Sequence, residues 1–255
     1  MFRSSDVPEL KGKYTFACID ATKPETIKGI CDGCEAAITT MGLVGKSAKL
    51  TNFDIDLNGN LAFLQEAKAA GVTKFVYVSV IHAETAKDVP MLEAKRQFEE
   101  RLKESGLHYT IVRPTGYFYD IAHVFMPMIE KGKVTLLGHK DYPVNVIDTP
   151  DLADFCVSKL IEESNQTYEI GGKETYTYQQ IAQMFFEAAG KKCKSSRAPV
   201  FLFDLIIKKA AKKKDSSEAI IRFSKWTLTH SMVGSTAYGE ASFKKYIASL
   251  YQGGK

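Results

Sequence analysis

The stretch Lys74-Phe-Val-Tyr-Val-Ser-Val80 carries the strongest β-strand signal in this chain of 255 residues. Its residues are almost continuously apolar, whereas a strand with one face in water alternates apolar and polar residues. Such a run is typical of a strand that helices cover on both faces. The stretch therefore predicts an inner strand of a parallel sheet.

Strand and helix signals alternate on either side of this stretch. The pattern predicts strands at residues 14–19, 35–41 and 109–114, and helices at residues 22–31, 52–70 and 90–105. An alternating order favours a parallel sheet, because each helix returns the chain to the starting edge of the next strand. The predicted fold class is α/β: a doubly wound parallel sheet with helices on both faces.

The regular alternation loosens after the last of these strands, which suggests a second, smaller part of the molecule. The predicted division is a core of residues 1–116 and 147–165 and a small C-terminal lobe of residues 117–146 and 166–255. The lobe would lie over one end of the sheet and bind substrate. Within it, Thr177 and Gln180 have the spacing of a capping box, which predicts a helix that begins there.

The composition limits the classes of partner. The chain is 45% hydrophobic and 25% charged, with a net charge of +4, which is an ordinary globular balance. A charge this small does not favour nucleic acid, which usually needs a strongly basic face. No apolar run approaches the roughly 20 residues of a membrane-spanning helix, and no signal peptide is recognisable. We therefore expect a cytoplasmic protein without a membrane or nucleic-acid partner.

A single Cys-x-x-Cys motif occurs, at Cys31-Asp-Gly-Cys34. It could be a redox or metal site, but a zinc ion needs about four ligands, and no second pair or nearby histidine supplies them. Two free thiols around an Asp-Gly turn is the favoured interpretation. No metal site is predicted.

The basic run IIKKAAKKKDSS at residues 206–217 follows the apolar stretch VFLFDL. It has two interpretations: an amphipathic helix that contacts a membrane or a partner, or a solvated face whose lysines suit the negative end of a helix dipole. The solvated face is favoured, since basic runs at helix ends are commonly of this kind.

Ligands of open parallel sheets bind beyond the carboxyl ends of the strands. Four positions meet that rule: Asp20 with Ala21, and residues 39–42, 79–82 and 114–118. They are the candidate site.

The helix predicted at residues 90–105 adds Lys95 to these positions. Met91, Lys95, Phe98 and Leu102 have the spacing of one helix face, and Lys95 is the charged member of that stripe. The lysine either reaches past the stripe to solvent or points at a ligand near the strand ends.

Four segments together carry a family resemblance: GVTKFVYVSV at 71–80, EAKRQFEERLKESGLHYTIVRPTGYF at 93–118, VNVIDTPDLADF at 144–155 and YEIGGKETYTYQQIAQ at 168–183. In order and spacing they resemble the atypical short-chain dehydrogenase/reductase superfamily, and more narrowly its NmrA-like NAD(P)H-binding proteins and nucleoside-diphosphate-sugar-epimerase-like relatives. The resemblance covers nearly the whole chain. It implies a Rossmann-type core that binds a dinucleotide, with NADP(H) preferred and NAD(H) possible.

The resemblance also implies individual cofactor contacts. Arg3 would meet the 2′-phosphate of NADP, which suits a guanidinium, and Lys95 would be the lysine of the Tyr-x-x-x-Lys pair. The other implied contacts are Asp20 and Ala21 along the adenine, Thr39, Thr40, Met41 and Gly42 beside the ribose and pyrophosphate, and Ser79, Val80, Pro114, Thr115 and Tyr117 near the nicotinamide.

The sequence departs from the family pattern at the tyrosine that would donate a proton to the substrate. The tyrosine of the pair would fall at position 91, where this chain has Met91, and a thioether cannot donate a proton. Tyr117, Tyr119 or His82 could substitute as the acid. Tyr117 is favoured because it follows a strand end directly, although an aromatic packing role for it is equally open.

A second departure concerns the phosphate loop. No Gly-x-x-Gly-x-x-Gly motif occurs in the chain, whereas in the family that loop cradles the pyrophosphate at a helix N-terminus. We therefore expect that the fold is N-terminally incomplete and that a longer parent carries on the order of 35–40 further residues, the size of a strand–helix–strand unit. The gap would fall between the strands predicted at 14–19 and 35–41, which would then pair directly or leave unpaired edges.

Three functions follow from the resemblance. The first is an NAD(P)H-dependent oxidoreductase that reduces a small carbonyl or enone substrate, with Lys95, Ser79 and Tyr117 as the predicted catalytic residues. The alternative is a non-catalytic NAD(P)H-sensing regulatory or assembly protein of NmrA-like type, which the replacement at Met91 favours. A weaker alternative is a sugar-nucleotide epimerase, since such enzymes normally need the absent tyrosine.

Overall fold

The strand predicted at 74–80 lies inside a five-stranded parallel sheet. A computed structural model of the chain describes residues 14–85, 87–162, 165–213 and 215–252. In spatial order, the strands are β1 (Ala36–Thr39), β2 (Lys74–Val78), β3 (His108–Pro114), β6 (Gln166–Gly171) and β9 (Thr236–Ala237). Every neighbouring pair is parallel, as the alternation of strand and helix signals predicts.

Helices cover both faces of this sheet. The covering helices are α1 (Asn60–Ala69), α2 (Pro90–Lys103) and α4 (Thr149–Ser158). On one face, Leu64 of α1 and Phe98 of α2 form a core with Phe75. On the other face, Phe155 of α4 packs in a cluster with Val76. Alternate residues of β2 therefore enter opposite cores, and the Rossmann-like α/β fold is confirmed.

The other elements form a lobe beyond the carboxyl ends of the strands. They are α3 (Phe118–Glu130), β4 (Val134–Leu137), β5 (Pro143–Val144), β7 (Tyr176–Thr177), α5 (Tyr178–Ala188), β8 (Ser195–Ala198), α6 (Phe201–Ala210), α7 (Ser217–Thr229) and α8 (Phe243–Gln252). β4 pairs with β8 in parallel and β5 with β7 antiparallel. An aromatic core that includes Phe118, Phe185 and Phe243 holds the lobe together. The predicted capping box of Thr177 and Gln180 is formed at the start of α5.

Asn145 joins the lobe to the sheet. Its buried carbonyl oxygen accepts a hydrogen bond from the Thr115 hydroxyl at 2.7 Å, and its side-chain oxygen accepts one from the Gly234 amide at 2.9 Å. Gly171, at the end of β6, lies so close that a Cβ there would be 2.2 Å from the same side-chain oxygen. The backbone of the sheet and the lobe therefore touch at this point.

Three predictions about the elements need correction. The helix predicted at 22–31 is not formed, because the segment holds only the 3-10 turn Pro24–Thr26 followed by further turns. The strand predicted at 14–19 is not formed: residues 14–20 have no regular secondary structure, and no strand within the described ranges flanks the outer edge of β1. A strand needs a neighbour to pair its backbone groups, so propensity alone did not form one here. In addition, β6 and β9 belong to the main sheet although residues 166–255 were assigned to the lobe. Arg3 lies outside the described residues.

No helix in the described part of the chain has the length and apolar character needed to cross a membrane.

Candidate functional site

A cavity of about 460 Å³ lies where the strand ends meet the lobe. Eight residues expected at the cofactor line it together: Thr40, Gly42, Ser79, Val80, Lys95, Pro114, Thr115 and Tyr117. The lobe closes the opposite side with Val144, Tyr178, Phe223 and Thr227. The topology brings these segments together because the carboxyl ends of parallel strands share one edge of the sheet.

Lys95 faces this cavity from α2 and does not reach past the helix to solvent. Its ammonium nitrogen lies 3.2 Å from Oδ1 of Asp56, whose side chain is 2% exposed. The same nitrogen is 5.4 Å from the centre of the Tyr77 ring, within range of a cation–π contact. A buried ammonium needs such partners, so the lysine is fixed at the cavity wall by a carboxylate and an aromatic face.

A π-helical segment at Phe53–Gly59 positions Asp56. The Asp56 carboxylate accepts hydrogen bonds from the Leu43 amide at 3.1 Å and from the Asn52 side chain at 3.0 Å, in addition to its contact with Lys95. Single π turns are rare and often occur at functional sites. Here the turn aims one carboxylate at both the loop after β1 and the lysine of α2.

Ser79 belongs to a second buried polar cluster. Its hydroxyl donates to Oε1 of Glu99 at 2.5 Å. Arg113 on β3 then binds Glu99 in bidentate fashion, with Nε–Oε1 and Nη2–Oε2 distances of 3.0 and 2.6 Å. Burial alone would lower the pKa of Arg113, but the hydrogen bonds and charge of Glu99, with Glu84 and Glu169, raise it overall. The Ser79 hydroxyl therefore points its proton into the protein.

Sequence reasoning missed three members of these clusters: Asp56, Glu99 and Arg113. Glu99 is 1% exposed, so Lys95 is not the only charge on the inner face of α2. The spacing contained a signal, since Lys95 and Glu99 are four residues apart and share a helix face. Two opposite charges on the inner face of one helix indicate buried partners on other elements.

Met91 and Tyr117 line the apolar side of the cavity. Met91 lies one helical turn before Lys95, at the position from which a tyrosine would present its hydroxyl. Burial, with smaller contributions from Asp120 and Cys156, raises the pKa of the Tyr117 phenol well above its ordinary value. The phenol therefore stays protonated at neutral pH. Tyr117 also borders a second, largely apolar cavity of about 380 Å³ between Ile38 of β1 and α4.

The remaining expected residues lie outside the main cavity. The Thr39 hydroxyl donates to Asn60 at 2.8 Å inside the protein, and Met41 with Ala21 packs against Gly59. Asp20 is exposed, and hydrogen bonds from Thr22 lower the pKa of its carboxyl.

Metal-ligating side chains converge at one place in the described ranges, where His82, Glu84 and Glu169 come within 4.8 Å of one another. Arg113 already reaches this cluster, with Nη1 at 2.5 Å from Glu84 and 3.8 Å from Glu169. A guanidinium thus supplies the positive charge there. Cys31 of the Cys-x-x-Cys motif is buried in the core under α1, and Cys34 is exposed. Both are free thiols.

The residues around the main cavity fit the nicotinamide–ribose half of a dinucleotide. Val78, Val80, Met91 and Pro114 offer apolar walls for a planar ring. Thr40, Ser79 and the Lys95 ammonium supply polar groups along one side, which is the usual arrangement of a site for a small polar cofactor. Lys95 would hold the ribose hydroxyls while its charge stays balanced by Asp56.

Comparison with known proteins identifies the family. The sequence profile of the NAD(P)H-binding family matches residues 2–163. The Photosystem II assembly factor Ycf39 of Trieres chinensis is 28% identical over 194 residues, or 73% of this chain and 59% of that protein. The uncharacterized sugar epimerase YhfK of Bacillus subtilis strain 168 is 29% identical over 148 residues, or 56% of this chain and 64% of that protein. The chain thus spans about three fifths of the length of these curated relatives.

A solved structure shares the fold. The NADPH-dependent quinone oxidoreductase of Escherichia coli, determined in complex with NADPH, superposes with a TM-score of 0.70 at 18% identity. The match covers 98% of this chain and 88% of that one.

Proposed function

The chain belongs to the NAD(P)H-binding family, and on that premise we propose that it is a regulatory or assembly protein that responds to bound dinucleotide without reducing a substrate. One observation carries the proposal: Lys95 and Ser79, two of the three residues expected to be catalytic, are already engaged inside the protein. Lys95 is paired with Asp56, and Ser79 donates to Glu99. The name of the Ycf39 relative, an assembly factor, is consistent with this choice.

The absence of a positioned acid is the physical reason for preferring a non-catalytic role. A bound nicotinamide supplies a hydride, but reduction of a carbonyl also needs a proton delivered to the oxygen in the transition state. Position 91, one turn before Lys95, holds a thioether that has no proton to give. The Glu99 carboxylate accepts a hydrogen bond from the Ser79 hydroxyl and is itself bound by Arg113, so the Ser79 hydroxyl donates to Glu99 and not to a ligand.

A second candidate function is the reduction of a small carbonyl or enone. The Tyr117 phenol favours it, because this group borders the cavity and its raised pKa keeps it protonated. That raised pKa also makes the phenol a weak acid, which limits proton transfer. NADP(H) in preference to NAD(H) belongs to both proposals and depends on Arg3.

Dinucleotide titration followed by a turnover assay tests the proposal. We expect saturable NADPH fluorescence changes on this chain and no NADPH oxidation above the buffer rate against carbonyls, enones and quinones. Lys95→Ala should weaken binding about tenfold or more, as expected for loss of a charged hydrogen bond. Lys103→Ala, on the exposed end of the same helix, is the matched control. Turnover by the unaltered chain would support the reductase, and the lack of any binding would overturn both candidates.

Met91→Tyr separates the two candidates further. The substitution restores a tyrosine one turn from Lys95, and a positioned acid contributes about 10²–10⁴-fold to a rate. We expect the variant to oxidise NADPH with an enone where the unaltered chain does not. If the unaltered chain already turns over and Met91→Tyr leaves that rate unchanged, the acid lies elsewhere, and Tyr117→Phe then identifies or excludes the Tyr117 phenol.

A further inference from the structure

The outer face of α6 exposes four large apolar side chains. Phe201 is 59% exposed, Leu205 55%, Ile206 47% and Leu202 37%. They share one side of the helix, because positions separated by one, four and five residues fall within less than half a turn. The opposite side packs into the lobe through Ile207 and Ala210, which are buried. The helix α6 therefore has one apolar side that packs in the lobe and a second apolar side that faces solvent.

Lysines continue this outer face. Lys208, Lys209, Lys212 and Lys213 are all exposed and lie in the end of α6 and the 3-10 turn at Ala211–Lys213 that follows it. Within this helix and turn the single acidic residue is Asp204, and its carboxylate is held by Lys225 of α7 at 2.6 Å. The outer face is thus apolar in its first half and strongly basic in its second half.

Folding of the chain alone does not explain why α6 exposes either the apolar half or the basic half of its outer face. Contiguous exposed apolar surface of this kind is uncommon on a protein with no partner, and four neighbouring lysines repel one another. Both features become favourable against a surface that is apolar inside and negatively charged outside. An anionic bilayer has that arrangement, since apolar side chains enter the acyl boundary while lysines reach the headgroups.

We propose that α6 and the following basic turn form a membrane-surface binding site for bilayers that contain anionic lipids. The helix lies in the interface plane, with Phe201, Leu202, Leu205 and Ile206 inserted and the four lysines at the phosphates. α6 has ten residues, about 15 Å of helix, too short to cross the roughly 30 Å hydrocarbon core. The proposal adopts the membrane-contact interpretation of the basic run, because the apolar residues beside the lysines are exposed in the structure.

A bilayer fits better than a protein groove. A helix that docks in a groove needs only a narrow stripe of anchors, whereas here adjacent residues, Leu205 with Ile206 and Phe201 with Leu202, are exposed together. A broad apolar face with a basic margin is typical of helices at the membrane interface. An acidic protein partner is the other possible occupant and is an outcome of the test.

Vesicle co-sedimentation with the full chain tests the proposal. We expect the chain to sediment with phosphatidylcholine vesicles that contain phosphatidylglycerol, to remain in solution with phosphatidylcholine alone, and to dissociate as salt rises. Lys208→Gln, Lys209→Gln, Lys212→Gln and Lys213→Gln together should weaken binding about tenfold or more. Leu205→Asn with Ile206→Asn should do the same. Both sets are exposed, and circular dichroism checks that the variants fold.

A matched control removes four charges elsewhere, at Lys131, Lys133, Lys192 and Lys194, which are also exposed. This control should leave vesicle binding within about twofold. Failure of the unaltered chain to bind anionic vesicles, or loss of binding in the control rather than in the α6 variants, would overturn the proposal. Binding that depends on the lysines but not on Leu205 and Ile206 would also overturn it, since an acidic protein or any anionic surface would then suffice.

Discussion

Lys95 and Asp56 form an ion pair that is almost closed to solvent, with 11% and 2% of their side chains exposed. Removing charges from water is unfavourable, and their mutual attraction compensates only when both partners are present. The pair therefore contributes to stability as a unit. It also fixes where the lysine nitrogen lies in the cavity.

Removal of one member of the pair should be much more damaging than removal of both. Lys95→Met leaves the Asp56 carboxylate buried without its cation, and we expect the free energy of unfolding to fall by about 3–5 kcal/mol. The double variant Asp56→Asn/Lys95→Met should recover a large part of that loss, because no charge is left uncompensated. Urea unfolding followed by circular dichroism measures both.

Lys103→Met, at the exposed end of the same helix, serves as the control and should change stability by no more than about 0.5 kcal/mol. If Lys95→Met is as mild as this control, the ion pair is not the buried unit that the geometry describes.

At the residue scale the sequence predicted the position of Lys95 but not its partners. The apolar spacing of α2 placed the lysine on the inner face, because that spacing is local. Asp56, the partner of Lys95, and Arg113, the partner of Glu99, come from other elements. Only the packing of α2 against the sheet and the π-helical segment brings these partners near. A local sequence pattern does not predict such a long-range contact. Glu99 was also missed, although its four-residue spacing from Lys95 was visible in the sequence.

The end of β6 is the element on which the junction of sheet and lobe depends. Gly171 and Gly172 let the backbone of this strand approach the segment around Asn145, where a Cβ at Gly172 would lie 2.3 Å from the Val146 carbonyl oxygen. Gly172 also donates its amide to the Asn145 carbonyl at 3.0 Å. A side chain larger than hydrogen at either position would push the two elements apart.

Gly171→Ala should therefore destabilise the protein by about 1–3 kcal/mol or more, as overpacked interiors do. The new methyl group would meet the Asn145 side-chain oxygen at 2.2 Å and the Asn145 carbonyl oxygen at 2.3 Å. Thermal unfolding measures the change. Gly116→Ala is the matched control, since its Cβ would make only an ordinary contact, at 3.6 Å from Val146. Equal midpoints for the two variants would contradict the close approach at Gly171.

Local sequence signals predicted the start of α5 but failed at residues 22–31, where only a 3-10 turn forms. Elements that depend on a neighbouring strand or helix were not predictable. α5 begins after its capping box at Thr177, as predicted, because a cap satisfies backbone groups within one turn. The strand at 14–19 failed although its residues favour strands, since pairing needs a second strand beside it. The π turn at Phe53–Gly59 had no sequence signal either, and its buried Asp56 is satisfied only by residues outside the turn.

At the scale of the whole molecule, the main cavity lies at the boundary between the sheet and the lobe. The sheet supplies Ser79 and Thr115, and the lobe supplies Tyr178 and α7 through Phe223 and Thr227. The Rossmann-like core was predictable from alternating signals along the chain. The lobe walls were not, because α7 reaches the strand ends only through the packing of the lobe on the sheet. A ligand held between the two parts should therefore stabilise both.

NADPH binding should protect backbone amides on both sides of the cavity from hydrogen exchange. This prediction depends on the proposed dinucleotide site. A ligand at about 100 times its dissociation constant adds about 2.7 kcal/mol to global stability, so amides that exchange by global unfolding should slow about 100-fold. We expect further protection of local openings in α7 and after β2. The outer face of α6 lies away from the cavity and should show no added local protection.

Hydrogen exchange with mass spectrometry measures all three segments, and Lys95→Ala provides the comparison. Protection of the sheet without α7 would mean that the lobe does not close over the ligand, and the cavity would then be a site of the sheet alone.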